Sequence, residues 1–173
     1  MNWREMGIMM SVVTLSALTS TSGSISGITI SSPAFLAGAE IPAKYTCDGQ
    51  SISPEIRISG TPLAAKSLAL IMEDPDAPGG LFTHWLVWNI PPQTTKLAEN
   101  SVPSGAIQGT NDFSRRGYGA PCPPSGTHRY VFKIFALDQP IELKPGARRP
   151  EVEAAIKSHI QAQGELMGRY THK

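Results

Sequence analysis

The residues able to do chemistry gather in two short segments, DPDAP at 74–78 and GAPCPPSGTHRY at 119–130, with His84 just beyond the first. Together they offer two acids, Asp74 and Asp76, two histidines, His84 and His128, and the phenol of Tyr130. Imidazole N–H, phenol O–H and loop amides are donors suited to phosphate or sulfate oxygens. Gly117, Gly119 and Gly126 permit the close backbone approach that an anion cradle needs. Asp74 beside an anion is unfavourable unless something is protonated. It is therefore expected to accept a proton from a histidine, and binding should tighten as pH falls through histidine titration. A plainer reading stands beside this one. Turn aspartates usually only tie down backbone amides, and a lone histidine entering an apolar strand is more often a satisfied structural group.

Those side chains need elements that bring them to one depth. Strands are expected at 55–58, 67–72, 84–90 and 130–137. The last three are nearly continuous apolar runs, the pattern of central strands covered on both faces. By alternation His84, Leu86 and Trp88 share one face, and Trp85 and Val87 the other. His128 and Tyr130 likewise share a face, with Arg129 opposite. The connections are rich in turn residues: IPAKYTCDGQSISP, APGG, IPPQTT and the long stretch 103–127. Such joins argue for a β-sandwich rather than a βαβ alternation. One helix is expected over 150–163. Pro150 suits the first turn, Glu151 and Glu153 lie near the positive end of the dipole, and Val152, Ile156 and Ile160 would face the sheet before Gly164 stops the helix. Residues 165–170 then return as a short edge strand. The class is mainly β with a C-terminal helix.

The chain has 173 residues and a formal charge of +1, so one domain is expected and any anion site must be local. No global field gathers nucleic acid or anionic lipid, nucleic acid is not expected as a partner, and no stable membrane span is expected. Cys47 and Cys122 are too few for CxxC-type zinc chemistry, and two readings stay open for them, buried free thiols or one disulfide. No metal or cofactor is expected. The apolar run at 8–18 is too short to span a bilayer but fits the core of a secretory signal. Residues 1–27 are therefore expected to be a signal peptide or a disordered leader, and 28–173 the folded domain. The first option implies a periplasmic or extracellular protein, the second a cytoplasmic one.

From residue 28 onward the chain resembles the phosphatidylethanolamine-binding proteins, or Raf kinase inhibitor-like proteins, in their bacterial and archaeal branch. IPAKYTCDGQSISPEI, EDPDAPGGLFTHWLVWNIP, GAIQGTNDF and GYGAPCPPSGTHRYVFKIFALD follow the family pattern in order and at matching spacing. The resemblance implies a large antiparallel sheet packed on a smaller one, with a shallow anion pocket at one end. It places pocket residues at Asp74, His84, Pro121, His128 and Tyr130, with Asp76 and Gly119 in support. It also favours Cys47 and Cys122 as a structural pair.

Three functions compete. The leading one is a non-catalytic module binding phosphate or a phosphorylated headgroup. The second is an inhibitor of a serine protease or kinase acting through the exposed loop 101–116, which is studded with Gly, Ser and Asn. The third is an enzyme using Asp74, His84 and His128 as a three-ligand metal site, although none of the spacings is a metal motif. The residues leave the physiological ligand and the oligomeric state open.

Overall fold

The apolar runs form strands, with β3 and β4 buried on both faces and β7 so buried only over its second half, from 134 to 137. The computed structural model describes residues 27–172, so the leader expected over 1–27 lies outside the described residues save for Gly27. The strands are β1 (Thr29–Ser31), β2 (Ile56–Ser59), β3 (Ser67–Asp74), β4 (Phe82–Ile90), β5 (Lys96–Leu97), β6 (Ile107–Gln108), β7 (Thr127–Leu137) and β8 (Ile160–Thr171), with helix α1 (Arg149–Ile156) before the last. They make two antiparallel sheets, a smaller one of order β1-β2-β5 and a larger one of order β6-β4-β3-β7-β8.

All eight residues of β3 are buried, because each face of the larger sheet has its own cover. Leu68, Leu70 and Met72 meet Trp85, Val87, Phe132 and Ile134 in the core shared with Ile30, Ile58 and Leu97 of the smaller sheet. Ala69 and Ile71, on the opposite face, pack with Leu86, Trp88, Phe135 and Leu137 beneath Val152 and Ile156 of α1. Each large side chain buried this way contributes roughly 1.5–3 kcal/mol. The end of β3 uses the same alternation to separate two acids. Glu73 faces the helix side, where Lys133 and Arg149 pair with it, and Asp74 faces the other way.

The C-terminal region departs from the expected helix over 150–163. The helix stops at Ile156, and the edge strand expected at 165–170 instead runs from Ile160 to Thr171 along the whole of β7. Ile160 is therefore exposed at the start of a strand, not part of a helical stripe. Gly164 is no helix stop. It sits mid-strand where the carbonyl of Ile28 crosses so closely that a Cβ could not fit. The ladder with β7 decides this, since Ala162, Leu166 and Tyr170 recur at even positions and are buried together. The helical periodicity was real only as far as Ile156.

Candidate functional site

Asp74 is the last residue of β3 and is 3% exposed. Its Oδ1 accepts the Asp76 backbone N–H at 2.8 Å, closing the DPDAP turn, and its Oδ2 accepts from His128 Nδ1 at 2.7 Å. Asp76 does not enter this pair. It takes the Arg129 guanidinium through Nη2 at 2.6 Å and Nε at 2.9 Å, and the Arg129 amide at 2.9 Å. The guanidinium holds the Asp76 carboxyl down at about 2. The turn after β3 is thus laced to the start of β7 by alternate residues: Asp74 takes His128 inside, and Asp76 takes Arg129 outside.

His84 reaches the same place by breaking alternation. Met72 pairs with Trp85 and Glu73 with Thr83, so His84 is the extra residue of a β-bulge in β4. Bulges re-aim side chains. This corrects the face assigned by alternation, because Leu86 and Trp88 lie under the helix while the His84 ring stands edge-on to Tyr130, 5.1 Å between centroids. Phe82 and Phe113 complete an aromatic surround at 5.2 and 5.3 Å. His84 Nδ1 donates to the Gly119 carbonyl at 2.7 Å. Burial lowers the pKa of this imidazole, with the Gly119 bond and Asp74 acting in the other direction.

Both imidazoles therefore commit Nδ1–H to a fixed acceptor, which leaves Nε2 as the free polar edge of each. The third polar group is the Tyr130 hydroxyl. It is buried and makes no geometric hydrogen bond among the described residues. Burial, and then Asp74, push the phenol up, so it stays a protonated donor at any ordinary pH.

The wall opposite β3 is the segment 111–123. Asn111, fully buried, donates to the carbonyls of His84 at 3.3 Å and Gly117 at 3.0 Å and accepts the amides of Phe113 at 3.0 Å and Arg115 at 3.2 Å. Asp112 takes the Thr83 amide at 2.6 Å. Gly119 donates its N–H to the His84 carbonyl at 2.8 Å, and a Cβ there would come within 2.6 Å of the Phe113 ring. Pro121 is buried, and its carbonyl accepts the Cys47 amide at 3.0 Å. Cys47 and Cys122 are bonded, with Cα atoms 5.4 Å apart, so the bridge rather than a pair of free thiols is what the fold contains.

The structure brings Asp74, His84, His128 and Tyr130 together and sets Pro121, Gly119 and Asp76 around them. Reading the sequence alone passed over Asn111, Phe82 and Phe113. The signal for Asn111 and Phe113 was faint, an aromatic standing alone in the polar run GTNDFSRR. The acid of a three-ligand metal site is already committed, since both Asp74 oxygens hold Asp76 and His128.

Comparison with known proteins agrees with this architecture. The family model described as phosphatidylethanolamine-binding protein matches residues 31–171. A UPF0098 protein of Methanothermobacter thermautotrophicus is 48% identical over 142 residues, spanning 79% of this chain and 94% of the relative. One from Aquifex aeolicus is 52% identical over 146 residues, spanning 80% and 85%. A solved phosphatidylethanolamine-binding protein homologue from Chlamydia trachomatis superposes with a TM-score of 0.82 at 41% identity, covering 86% of this chain and 99% of that one. YbcL of E. coli, described as a member of the mammalian family, gives 0.79 at 32% identity, with 84% and 99% covered.

Proposed function

The chain belongs to the phosphatidylethanolamine-binding protein family, and from that premise we propose that it is a non-catalytic binding protein holding a phosphate-like anion or phosphorylated headgroup among Asp74, His84, Pro121, His128 and Tyr130. The observation that carries this is the buried Tyr130 hydroxyl without a partner, beside two histidines whose Nδ1 atoms are already engaged. A buried polar group left unsatisfied costs roughly 1–3 kcal/mol, which a ligand oxygen at this phenol would recover.

The tautomers refine the chemistry. With Nδ1–H donated inward, a neutral imidazole offers the ligand a lone pair at Nε2, which repels a bare oxyanion. Binding therefore requires a proton, either on an imidazole or as a P–OH of the ligand itself. Desolvation makes His84 the reluctant partner, so the anion is expected to bind more tightly as pH falls. Asp74 serves as the acceptor that orients His128 and keeps an imidazolium there compensated.

Calorimetry with inorganic phosphate and with phosphoethanolamine at pH 5.5 and 7.5 tests this. Tighter binding at the lower pH, weakened at least tenfold in Tyr130→Phe, supports it. No heat at millimolar ligand, or a His84→Ala/His128→Ala protein that binds unchanged, rejects it.

A second reading, inhibition of a serine protease or kinase through residues 101–116, draws support from the rigidity Asn111 imposes beside the exposed Arg115 and Arg116. Stoichiometric inhibition across a protease panel would favour it, and a flat panel would dismiss it.

A further inference from the structure

Beside the Cys47–Cys122 bridge stands a group that the anion pocket does not use. Tyr170 lies near the end of β8, and His172 is the residue just past it. Both engage Asp48, Tyr170 through its hydroxyl and His172 through Nε2 at 3.1 Å. Asp48 follows Cys47 directly, so this contact draws the imidazole against the bridge. One ligand atom from each of Cys47, Cys122 and His172 lies within 4.8 Å of the others.

That spacing is close to what a single metal ion requires. Zinc bonds of about 2.3 Å to sulfur and 2.0–2.1 Å to nitrogen place tetrahedral ligand atoms about 3.4–3.8 Å apart. Two thiolates and an imidazole form a soft donor set, suited to zinc-class ions and not to calcium or magnesium. Asp48 stands in the position of the carboxylate that orients a zinc-bound histidine, and with Nε2 so engaged Nδ1 is the ring atom left for an ion. We propose that Cys47, Cys122 and His172 form a redox-gated site for a thiophilic divalent cation of the zinc class, closed as the disulfide and opened by reduction.

The chemistry balances with a dithiol as reductant. One of its sulfurs attacks a bridge sulfur, the S–S bond breaks, and two electrons and two protons convert the bridge to two thiols while the reductant leaves as its own disulfide. The ion displaces the two thiol protons to solvent and takes neutral His172 as its third protein ligand, with water in the fourth position. Cys122 thus stays tied to Cys47 in either state. The wall carrying Pro121 is cross-linked by sulfur in oxidising surroundings and by metal in reducing ones.

The test uses the full chain, reduced with a phosphine, freed of reductant without air and titrated with cobalt(II). Expected is one equivalent bound with thiolate-to-cobalt charge-transfer absorption, displaced by zinc, and no such band from the oxidised protein. His172→Ala leaves the bridge intact and its side chain is exposed, so it should fold; after reduction its zinc affinity should fall by at least about tenfold. A reduced chain without the charge-transfer band overturns the proposal. So does a His172→Ala protein of unchanged zinc affinity, or a reduced chain that loses its near-ultraviolet dichroism and does not regain it with zinc.

Discussion

On the β4 side of the pocket His84 is held by a backbone carbonyl within a surround of Phe82, Phe113 and Tyr130, whereas on the β3–β7 side His128 is held by the carboxylate of Asp74, backed by the exposed pair of Asp76 and Arg129. The two sides fix the same imidazole tautomer by different physics. The first excludes water and disfavours charge on its histidine. The second supplies charge and keeps its ion pair partly in solvent, where salt screens it. The candidate site thus joins a dry edge that resists protonation to an ionic edge that can compensate it, which is the contrast the proposed binding of an anion with one proton would exploit.

The comparison can be broken at its shared wall first. Removing the bridge with Cys47→Ser/Cys122→Ser frees a sequence separation of 75 residues, and chain entropy predicts a loss of about 4 kcal/mol, read by urea denaturation. On the dry side Asn111→Ala deletes four hydrogen bonds inside the protein and should cost about 3 kcal/mol, with phosphate binding lost in proportion as Phe113 and Gly119 come free. Unchanged phosphate binding in Asn111→Ala would show that the 111–119 wall does not shape the candidate site.

The two sides should separate most clearly in acid. The folded pKa of His84 is depressed, so below about 6.5 the unfolded chain takes up a proton that the native state refuses. Stability therefore falls as pH drops below that value, by at most about 1.4 kcal/mol per pH unit for one proton. His84→Gln should flatten that limb, and bound phosphate should oppose it. Asp76 acts in a lower window. Its pKa is depressed to about 2, so its contribution is intact above the ordinary carboxylate value near 4 and is lost as pH falls toward 2. Asp76→Asn should cost no more than about 1 kcal/mol at neutral pH, less in high salt, because the Arg129 partner is exposed. A variant insensitive to salt would mean that the turn geometry matters there and the charge does not.

The larger part of the fold was legible because it rests on local patterning. Three apolar runs dense in β-forming residues announce strands covered on both faces, and Asp74, His128 and Tyr130 follow from turn chemistry and strict alternation at the ends of β3 and β7. His84 could be named as a candidate but not aimed, since a one-residue bulge reverses the face that alternation assigns. Asn111 escaped notice because nothing in the type of an asparagine tells which carbonyls will stand around it. The segment 157–164 misled for a related reason. A helical stripe through Val152 and Ile156 continues by coincidence to Ile160, and the pull of an unpaired β7 edge is invisible in the local sequence.

By itself, then, the sequence determined the two-sheet class, the turns that end its central strands and the residue types of the candidate site, because hydrophobic periodicity and proline geometry act over a few residues. Tertiary structure alone decided which way His84 points, where α1 yields to β8, that Cys47 meets Cys122 with His172 beside them, and that Tyr130 keeps a hydroxyl without a partner among the described residues. Each of these depends on groups far apart in the chain. Their energies come from pairing, burial and solvation at a shared place that only the folded chain creates.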